Sequence, residues 1–361
     1  MNHQLTQYDN RNFRRGFDYF FDHTPQHTDA TLHAGCSEIF ERMLEAISAA
    51  RTRVWLLMYI FDDDALGGLF ESALAECAAR DVEVRVLCDG YGCRHSRHSL
   101  LRRLRTKGVR VALWNAPRGV GADCRNHRKI LITDNITFVG GVNIAVRYLR
   151  HWRDVCVEIR GESVAQFERV FAEDWAEACG EKLPTQNAPF RPAVGIVYRP
   201  EDMEKAVVRM IERARRRVLV STPYLIPTAQ VERALAERAA AGIKVQILIP
   251  LRSDTPLTGA ASMGCARKLM RWGVEVWLYT KGFNHAKVIV GDHCAMLGSM
   301  NCDHRSLGRN REVMALMRGA TAERVAEDFE QALGHSRRAE LDDLPFCRAA
   351  EWFLRPLYPL L

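Results

Sequence analysis

Two histidines and two lysines recur in one pattern near opposite ends of this chain. Arg125-Asn126-His127-Arg128-Lys129 runs on through Asp134 to Gly140-Gly141-Val142-Asn143. His285-Ala286-Lys287 runs on through Asp292 to Gly298-Ser299-Met300-Asn301. Both copies read H-x-K-x4-D-x5-G-[GS]-x-N, and each histidine is followed 27 residues later by a carboxylate, Asp154 or Glu312. A lone H-x-K carries no information. Two copies agreeing at this many offsets are a duplication.

These residue types suit an anionic phosphate. Lys129 and Lys287 supply charge without titrating, and Asn143 and Asn301 supply amide donors. The four would hold non-bridging oxygens and stabilise a five-coordinate transition state. One histidine attacks phosphorus; the other protonates the leaving alcohol and then deprotonates the incoming one. Asp154 and Glu312 are expected to accept a hydrogen bond from the imidazole of their own half, fixing its tautomer. Asp134 and Asp292 complete the motifs and join His127, Lys129, His285 and Lys287 as expected catalytic residues. Ser299 is expected to donate to the phosphate or to a neighbouring side chain. Gly141 cannot, so the halves are not equivalent. Two lysines stand where a cation would, so no metal or cofactor is expected, and no Cys/His cluster has ligand spacing.

Elements able to position these residues repeat as well. The apolar run Val54–Phe61 predicts a strand covered on both faces. Helices are predicted over about 35–50, 66–80, 99–107 and 162–179, with strands at 82–87, 109–114, 128–133, 136–139 and 153–160 between them. The order returns after a proline-rich stretch, with helices near 201–214, 228–241 and 256–272 and strands at 217–221, 243–249 and 274–279. The expected class is α/β: a tandem duplication giving two mixed β-sheets flanked by helices, related by a pseudo-twofold axis. The division follows as an N-terminal arm (1–34), a first half (35–183), a linker (184–200), a second half (201–335) and a C-terminal aromatic tail (336–361).

A chain of 361 residues is long enough for two such halves. Eleven cysteines without a C-x-x-C pair favour buried thiols in a reducing compartment over a disulfide framework. No apolar run approaches the length of a membrane-spanning helix. The N-terminus lacks the apolar segment of a signal peptide. The formal charge of +7 fits a solvated basic surface or attraction to a polyanion, nucleic acid or anionic lipid.

The paired motifs resemble those of the phospholipase D superfamily, over about residues 35 to 335. Within it, Gly140-Gly141-Val142-Asn143, Trp152-Arg153-Asp154, Thr222-Pro223-Tyr224-Leu225-Ile226-Pro227 and Gly298–Leu307 followed by Asn310-Arg311-Glu312 resemble bacterial cardiolipin synthases, especially the short type without transmembrane helices. The spacing from aspartate to the glycine pair is one residue shorter than the usual pattern in both halves. The resemblance implies a phosphatidyl transferase working through a phosphohistidine, with His127 as nucleophile and His285 as acid and base. The residues alone leave that order open.

Phosphatidylglycerol would donate, and phosphatidylglycerol or another lipid alcohol would accept, giving cardiolipin. A phospholipid hydrolase, or a phosphodiester nuclease of the same superfamily, is the alternative. The expected partners are phospholipid substrates and an anionic membrane surface, reached peripherally from the cytoplasmic face; nucleic acid is not expected. Basic residues such as Arg102, Arg103, Arg105, Arg213, Arg215, Arg216 and Arg217 are expected to meet headgroups, and the aromatic tail to insert. Both histidines lie in one chain, so no oligomer is required.

Overall fold

The unbroken apolar run Val54-Trp55-Leu56-Leu57-Met58 is no more than 2% exposed at any position. Alternation is absent because both faces of this strand are covered. The computed structural model describes residues 17–20, 22, 29–94, 99–115, 124–187, 193–343 and 355–360.

In the first half the strands are β1 (Ala30–Ala34), β2 (Arg53–Met58), β3 (Glu83–Asp89), β4 (Arg110–Trp114), β5 (Ile130–Thr133), β6 (Ile136–Gly140), the short β7 (Trp152–Arg153) and β8 (Val155–Arg160). The second half contains β9 (Gly195–Val197), β10 (Arg217–Ser221), β11 (Leu225–Ile226), β12 (Lys244–Pro250) and β13 (Glu275–Tyr279). It continues with β14 (Phe283–Asn284), β15 (Val288–Val290), β16 (Cys294–Gly298), β17 (Cys302–Asp303), β18 (Met314–Arg318) and β19 (Ser336–Arg338).

The first sheet runs β1-β8-β6-β5-β2-β3-β4, and the second runs β19-β13-β12-β10-β15-β16-β18-β9. Strands β2, β3 and β4 pair in parallel, as do β10, β12 and β13. The strands carrying the motifs, β5 and β15, join them antiparallel. The two mixed sheets are therefore the same unit used twice, with β19 added at one edge of the second.

Each unit begins with an edge strand that sequence reading assigned to a connecting segment. Residues 30–34, placed in the N-terminal arm, pair antiparallel with β8. Residues 195–197, placed in the linker, pair antiparallel with β18 in the equivalent position. Both strands are short and lie at an edge, where one paired side gives little apolar periodicity to read. Residues 1–16, 23–28 and 344–354 lie outside the described residues, and with them most of the arm and of the aromatic tail.

The helices pack for ordinary reasons. Cys36–Ala49 turns Ile39, Phe40, Met43 and Ile47 inward. Asp64 caps the helix Ala65–Ala79 by accepting from Gly67 N at 2.9 Å, and Pro200 and Pro256 open the helices Pro200–Arg213 and Pro256–Met270. The long helices Val164–Cys179 and Gly319–Leu333 fill the space between the sheets. Phe167, Phe171 and Trp175 from one and Val325 and Phe329 from the other share a single core with Trp55, Leu57, Leu219 and Val288. The halves are thus fused by apolar packing, which makes a rigid frame for a site between them. Among the described residues no helix is long and apolar enough to cross a membrane.

Candidate active site

The motif strands reach the boundary between halves at matching ends, and there the backbones cross. Phe283-Asn284 pairs in parallel with Trp152-Arg153, and Asn126 bridges Arg311. His285 N donates to Arg153 O at 2.7 Å, and His127 N donates to Arg311 O at 2.9 Å. Each histidine is therefore seated beside the segment that carries the other half's carboxylate.

This overturns the expected pairing within one half. His127 Nδ1 lies 3.0 and 3.1 Å from the two carboxylate oxygens of Glu312. His285 Nδ1 lies 2.6 Å from Asp154 Oδ2. The offset of 27 residues is real in sequence, but the parallel crossing, invisible to it, carries each carboxylate across the interface. Nδ1 engaged in this way leaves Nε2 of each ring for the cleft. The cleft has a volume of about 730 Å³, and both histidines line it.

Lys129 and Lys287 sit beside the histidines, 1% exposed, and each donates from Nζ to the carbonyl of its own histidine, His127 or His285, at 2.5 Å. Asn143 and Asn301 also line the cleft. Asn143 accepts from Ile60 N at 3.1 Å and donates to the Tyr148 hydroxyl at 2.6 Å. Ser299 does not line it. Its hydroxyl donates to Glu312 at 2.5 Å and accepts from Val313 N at 2.9 Å.

Asp134 and Asp292, expected to be catalytic, are elsewhere. Asp134 accepts backbone N–H groups of Arg51, Thr52 and Arg53 at 3.0 to 3.1 Å. Asp292 accepts those of Arg215, Arg216 and Arg217 at 2.9 to 3.2 Å. Each stands at the far end of the motif strand from its lysine, about 16 Å along extended chain. The x4 spacing spans that strand rather than returning to the site.

The two histidine–carboxylate pairs differ in hydrogen bonding and therefore in protonation. Glu312 receives Ser299 Oγ, Ser306 Oγ at 2.8 Å and His127. Burial raises its pKa, but His127, Lys129 and Ser299 outweigh that and hold it below the ordinary carboxylate value. In the first half Gly141 and Tyr148 stand where Ser299 and Ser306 stand in the second. Gly141 is glycine because a Cβ there would come within 2.4 Å of Asp154 Oδ1. Asp154 receives Val155 N at 2.9 Å and His285. Burial drives its pKa up to about 7 against the pull of Lys287.

Burial, with the neighbouring lysines, pushes both imidazoles down, His127 to about 4 and His285 well below its ordinary value. Lys287 falls to about 8 and Lys129 well below its usual value, again chiefly from burial. Burial thus favours the protonated form of Asp154 beside His285, whereas the donors to Glu312 favour its ionised form beside His127.

Several contributors had no role assigned from the sequence. Trp152, Tyr148 and Phe283 enclose His285, with ring centroids 5.2, 5.3 and 5.9 Å away. Tyr59 stands edge-on to His127 at 4.8 Å. Arg153 and Arg311, each immediately before a carboxylate, pair with Asp328 and Asp174 of the opposite half. Ser306 was legible only as part of a longer string. Among the described residues no group of three or more His, Cys, Asp or Glu side chains could hold a metal ion.

A mixed sheet duplicated about a cleft with two H-x-K motifs defines a phospholipase D-like protein. The family model described as "Cardiolipin synthase, PLD-like domain" matches residues 43–175 and 207–333, and the chain belongs to that family. It is 36% identical over 320 residues to cardiolipin synthase A of Pseudomonas aeruginosa, covering 81% of this chain and 65% of that protein. It is 32% identical over 345 residues to the major cardiolipin synthase ClsA of Bacillus subtilis, covering 88% of this chain and 70% of that one. The chain thus spans just under two thirds of the Pseudomonas relative's length. Among solved structures, phosphatidylserine synthase of Haemophilus influenzae shares the fold with a TM-score of 0.76 at 14% identity, covering 96% of this chain and 100% of that one. Polyphosphate kinase of Porphyromonas gingivalis gives 0.62 at 16% identity, over 91% of this chain and 52% of its own.

Proposed function

We propose that this chain is a phosphatidyl transferase of the cardiolipin synthase type, moving the phosphatidyl group of phosphatidylglycerol to a second lipid alcohol. The observation that carries the reading is two crossed histidine–carboxylate pairs, His127–Glu312 and His285–Asp154, meeting at one cleft. The relatives' names supply the substrate class.

In this reading His127 is the nucleophile, because Ser299 and Ser306 donate to Glu312 and favour the carboxylate that stabilises the imidazolium that forms. Nε2 of His127 forms a bond to phosphorus as the bond from phosphorus to the glycerol oxygen breaks. His285, backed by the proton-holding Asp154, gives its Nε2 proton to that oxygen, and glycerol leaves. The acceptor hydroxyl then loses its proton to His285 and attacks phosphorus, and the bond to His127 breaks. Lys129 and Lys287 stabilise the charge on the non-bridging oxygens in both steps, which an enclosed site makes stronger than water would.

The chain would work on an anionic bilayer from its cytoplasmic face. Three of the arginines expected to meet headgroups are engaged inside the protein: Arg103 with Asp63 and Glu71, Arg213 with Asp18 and Asp22, and Arg217 with Glu323. Arg105 also donates within the chain, to Val111 O at 3.1 Å, which leaves Arg102, Arg215 and Arg216 of the original group for that role.

The test is mass spectrometry of lipids after incubation with phosphatidylglycerol vesicles, with and without EDTA, beside His127→Ala and His285→Ala. Cardiolipin and glycerol, formed by the wild type with EDTA present and by neither variant, are expected. Phosphatidic acid alone would replace transfer with hydrolysis. An absence of lipid turnover, with cleavage of single-stranded DNA instead, would overturn the lipid reading.

A further inference from the structure

The cleft lining carries both basic and acidic side chains, Arg147 and Arg305 among the former. The loop after β3 brings Tyr91 and Arg94 to one wall, where Arg125 joins them. The guanidinium carbons of Arg94 and Arg125 lie 3.6 and 3.8 Å from the centroid of the Tyr91 ring. The loop after β12 is the counterpart of that loop in the repeat, yet it brings Asp254 and Thr255 to the other wall. Asp254 accepts from the Tyr224 hydroxyl at 2.7 Å and from Thr255 Oγ1 at 3.0 Å. Nearby stands Asp303, only 3% exposed, two residues beyond Asn301. The matching position in the first half is Ala145, so this carboxylate is an addition of the second half.

Asp303 accepts from Ser306 N at 2.8 Å and from the Asn301 amide. Neither Asp303 nor Asp254 forms an ion pair with a described residue. Asn301 Oδ1 is buried without a hydrogen-bond partner among the described residues, although the residue lines the cleft and is only 7% exposed. Asn143, its counterpart, has partners at both ends. A buried acceptor left unpaired is unfavourable, and a ligand donor at this point would remove the penalty.

We propose that Asn301 Oδ1, Asp303 and Asp254 form the subsite for the alcohol that leaves and enters phosphorus, and that it selects alcohols bearing a second hydrogen-bond donor. The inference rests on the transfer reading above. Phosphate oxygens are drawn to the lysines and to Arg94 and Arg125, away from the carboxylates of Asp303 and Asp254. A hydroxyl or ammonium group is the chemistry that fits an array made of acceptors. A simple alkanol reaches phosphorus but leaves Asn301 Oδ1 unpaired, and so is the poorer acceptor.

The experiment is headgroup exchange on phosphatidylglycerol vesicles with deuterated glycerol, deuterated ethanolamine or 1-propanol, read by product mass. Glycerol and ethanolamine should exceed 1-propanol in kcat/KM by about tenfold, the effect of one ordinary hydrogen bond. In Asp303→Asn and in the exposed-site variant Asp254→Ala that ratio should fall toward one. Equal use of 1-propanol by the wild type, or an unchanged ratio in both variants, would overturn the subsite. Saturation-transfer NMR of the same three alcohols on the full chain reads binding without turnover. A stronger signal for glycerol and ethanolamine that is lost in Asp303→Asn supports the subsite even if no alcohol is transferred, an outcome that would defeat only the transfer reading. No preference over 1-propanol removes the subsite whatever the reaction.

Discussion

At the scale of single residues, the division of labour between two identical motifs comes down to which groups touch the carboxylates. Ser299 and Ser306 donate to Glu312; Gly141 and Tyr148, at the equivalent positions, give Asp154 nothing comparable. The difference has a measurable sign. Glu312 acts as an anion at all pH values above its lowered pKa, and a donor to the charged form keeps that pKa low. Ser299→Ala removes one such donor, so the acid limb of the kcat/KM profile should move to higher pH. The alkaline limb, where the His285–Asp154 pair gives up its proton as pH rises through about 7, should stay in place. A profile that shifts on neither limb, or on both equally, would show that the two pairs do not act separately. Much at this scale was legible. The repeat revealed His127, Lys129, His285 and Lys287, and the Gly141/Ser299 mismatch announced an asymmetry. The partner of each imidazole was not legible, because a fixed offset along the chain cannot tell a residue of the same half from one carried across an interface.

At the scale of elements, the aspartate of each motif illustrates how a conserved-looking spacing serves a strand and not a site. Asp134 has φ 41°, a left-handed conformation that aspartate tolerates. It turns the chain between β5 and β6 and gathers three amides from the start of β2, with Thr52 Oγ1 at 2.5 Å as well. Asp292 does the same for β10. The pair β2–β5 is thereby locked in register, and register decides where Lys129 emerges at the other end. Asp134→Ala and Asp292→Ala should each lower stability by about 1–2 kcal/mol, the size of a lost cap at a partly exposed position. Their folded fractions should keep kcat within a few-fold of the wild type, in contrast to the histidine variants. Urea titration and active-fraction-corrected rates measure both effects; a loss of rate as deep as that of His127→Ala would return the aspartates to the chemistry. Element types and order were readable from apolar patterning, since the buried strand β2 is a continuous apolar run from Val54 to Met58. The edge strands β1 and β9 were not, having too few residues and too little burial to write a period.

At the scale of the whole molecule, the pseudo-twofold axis is held by ion pairs that cross it beside the catalytic groups. Arg311 of the second half binds Asp174 of the first at 2.6 Å, and Arg153 of the first binds Asp328 of the second. The first crossing is the stronger because Arg128 joins it. That arginine occupies the x of the first H-x-K, where the second copy has only Ala286. Arg128 donates to both oxygens of Asp174 at 2.5 and 2.6 Å, to the Tyr198 carbonyl at 2.5 Å and to the Glu312 carbonyl at 3.0 Å. Asn126 adds a third donor to Asp174 at 2.8 Å. The carboxylate is fully buried, so its removal leaves the guanidinium of Arg128, itself 3% exposed, without a counter-charge. Asp174→Ala should therefore cost about 3–5 kcal/mol, the usual consequence of breaking a buried pair from one side. Asp328→Ala, which strands the more accessible Arg153, should cost less. Because Arg128 also grips the backbone of Glu312, Asp174→Ala should lower kcat in the molecules that remain folded, with little change in the affinity for vesicles. Equilibrium unfolding together with vesicle sedimentation separates the three quantities. A stability loss below about 1 kcal/mol would mean that water reaches Arg128, and that the apolar core between the long helices, rather than this crossing, sets the angle between the halves.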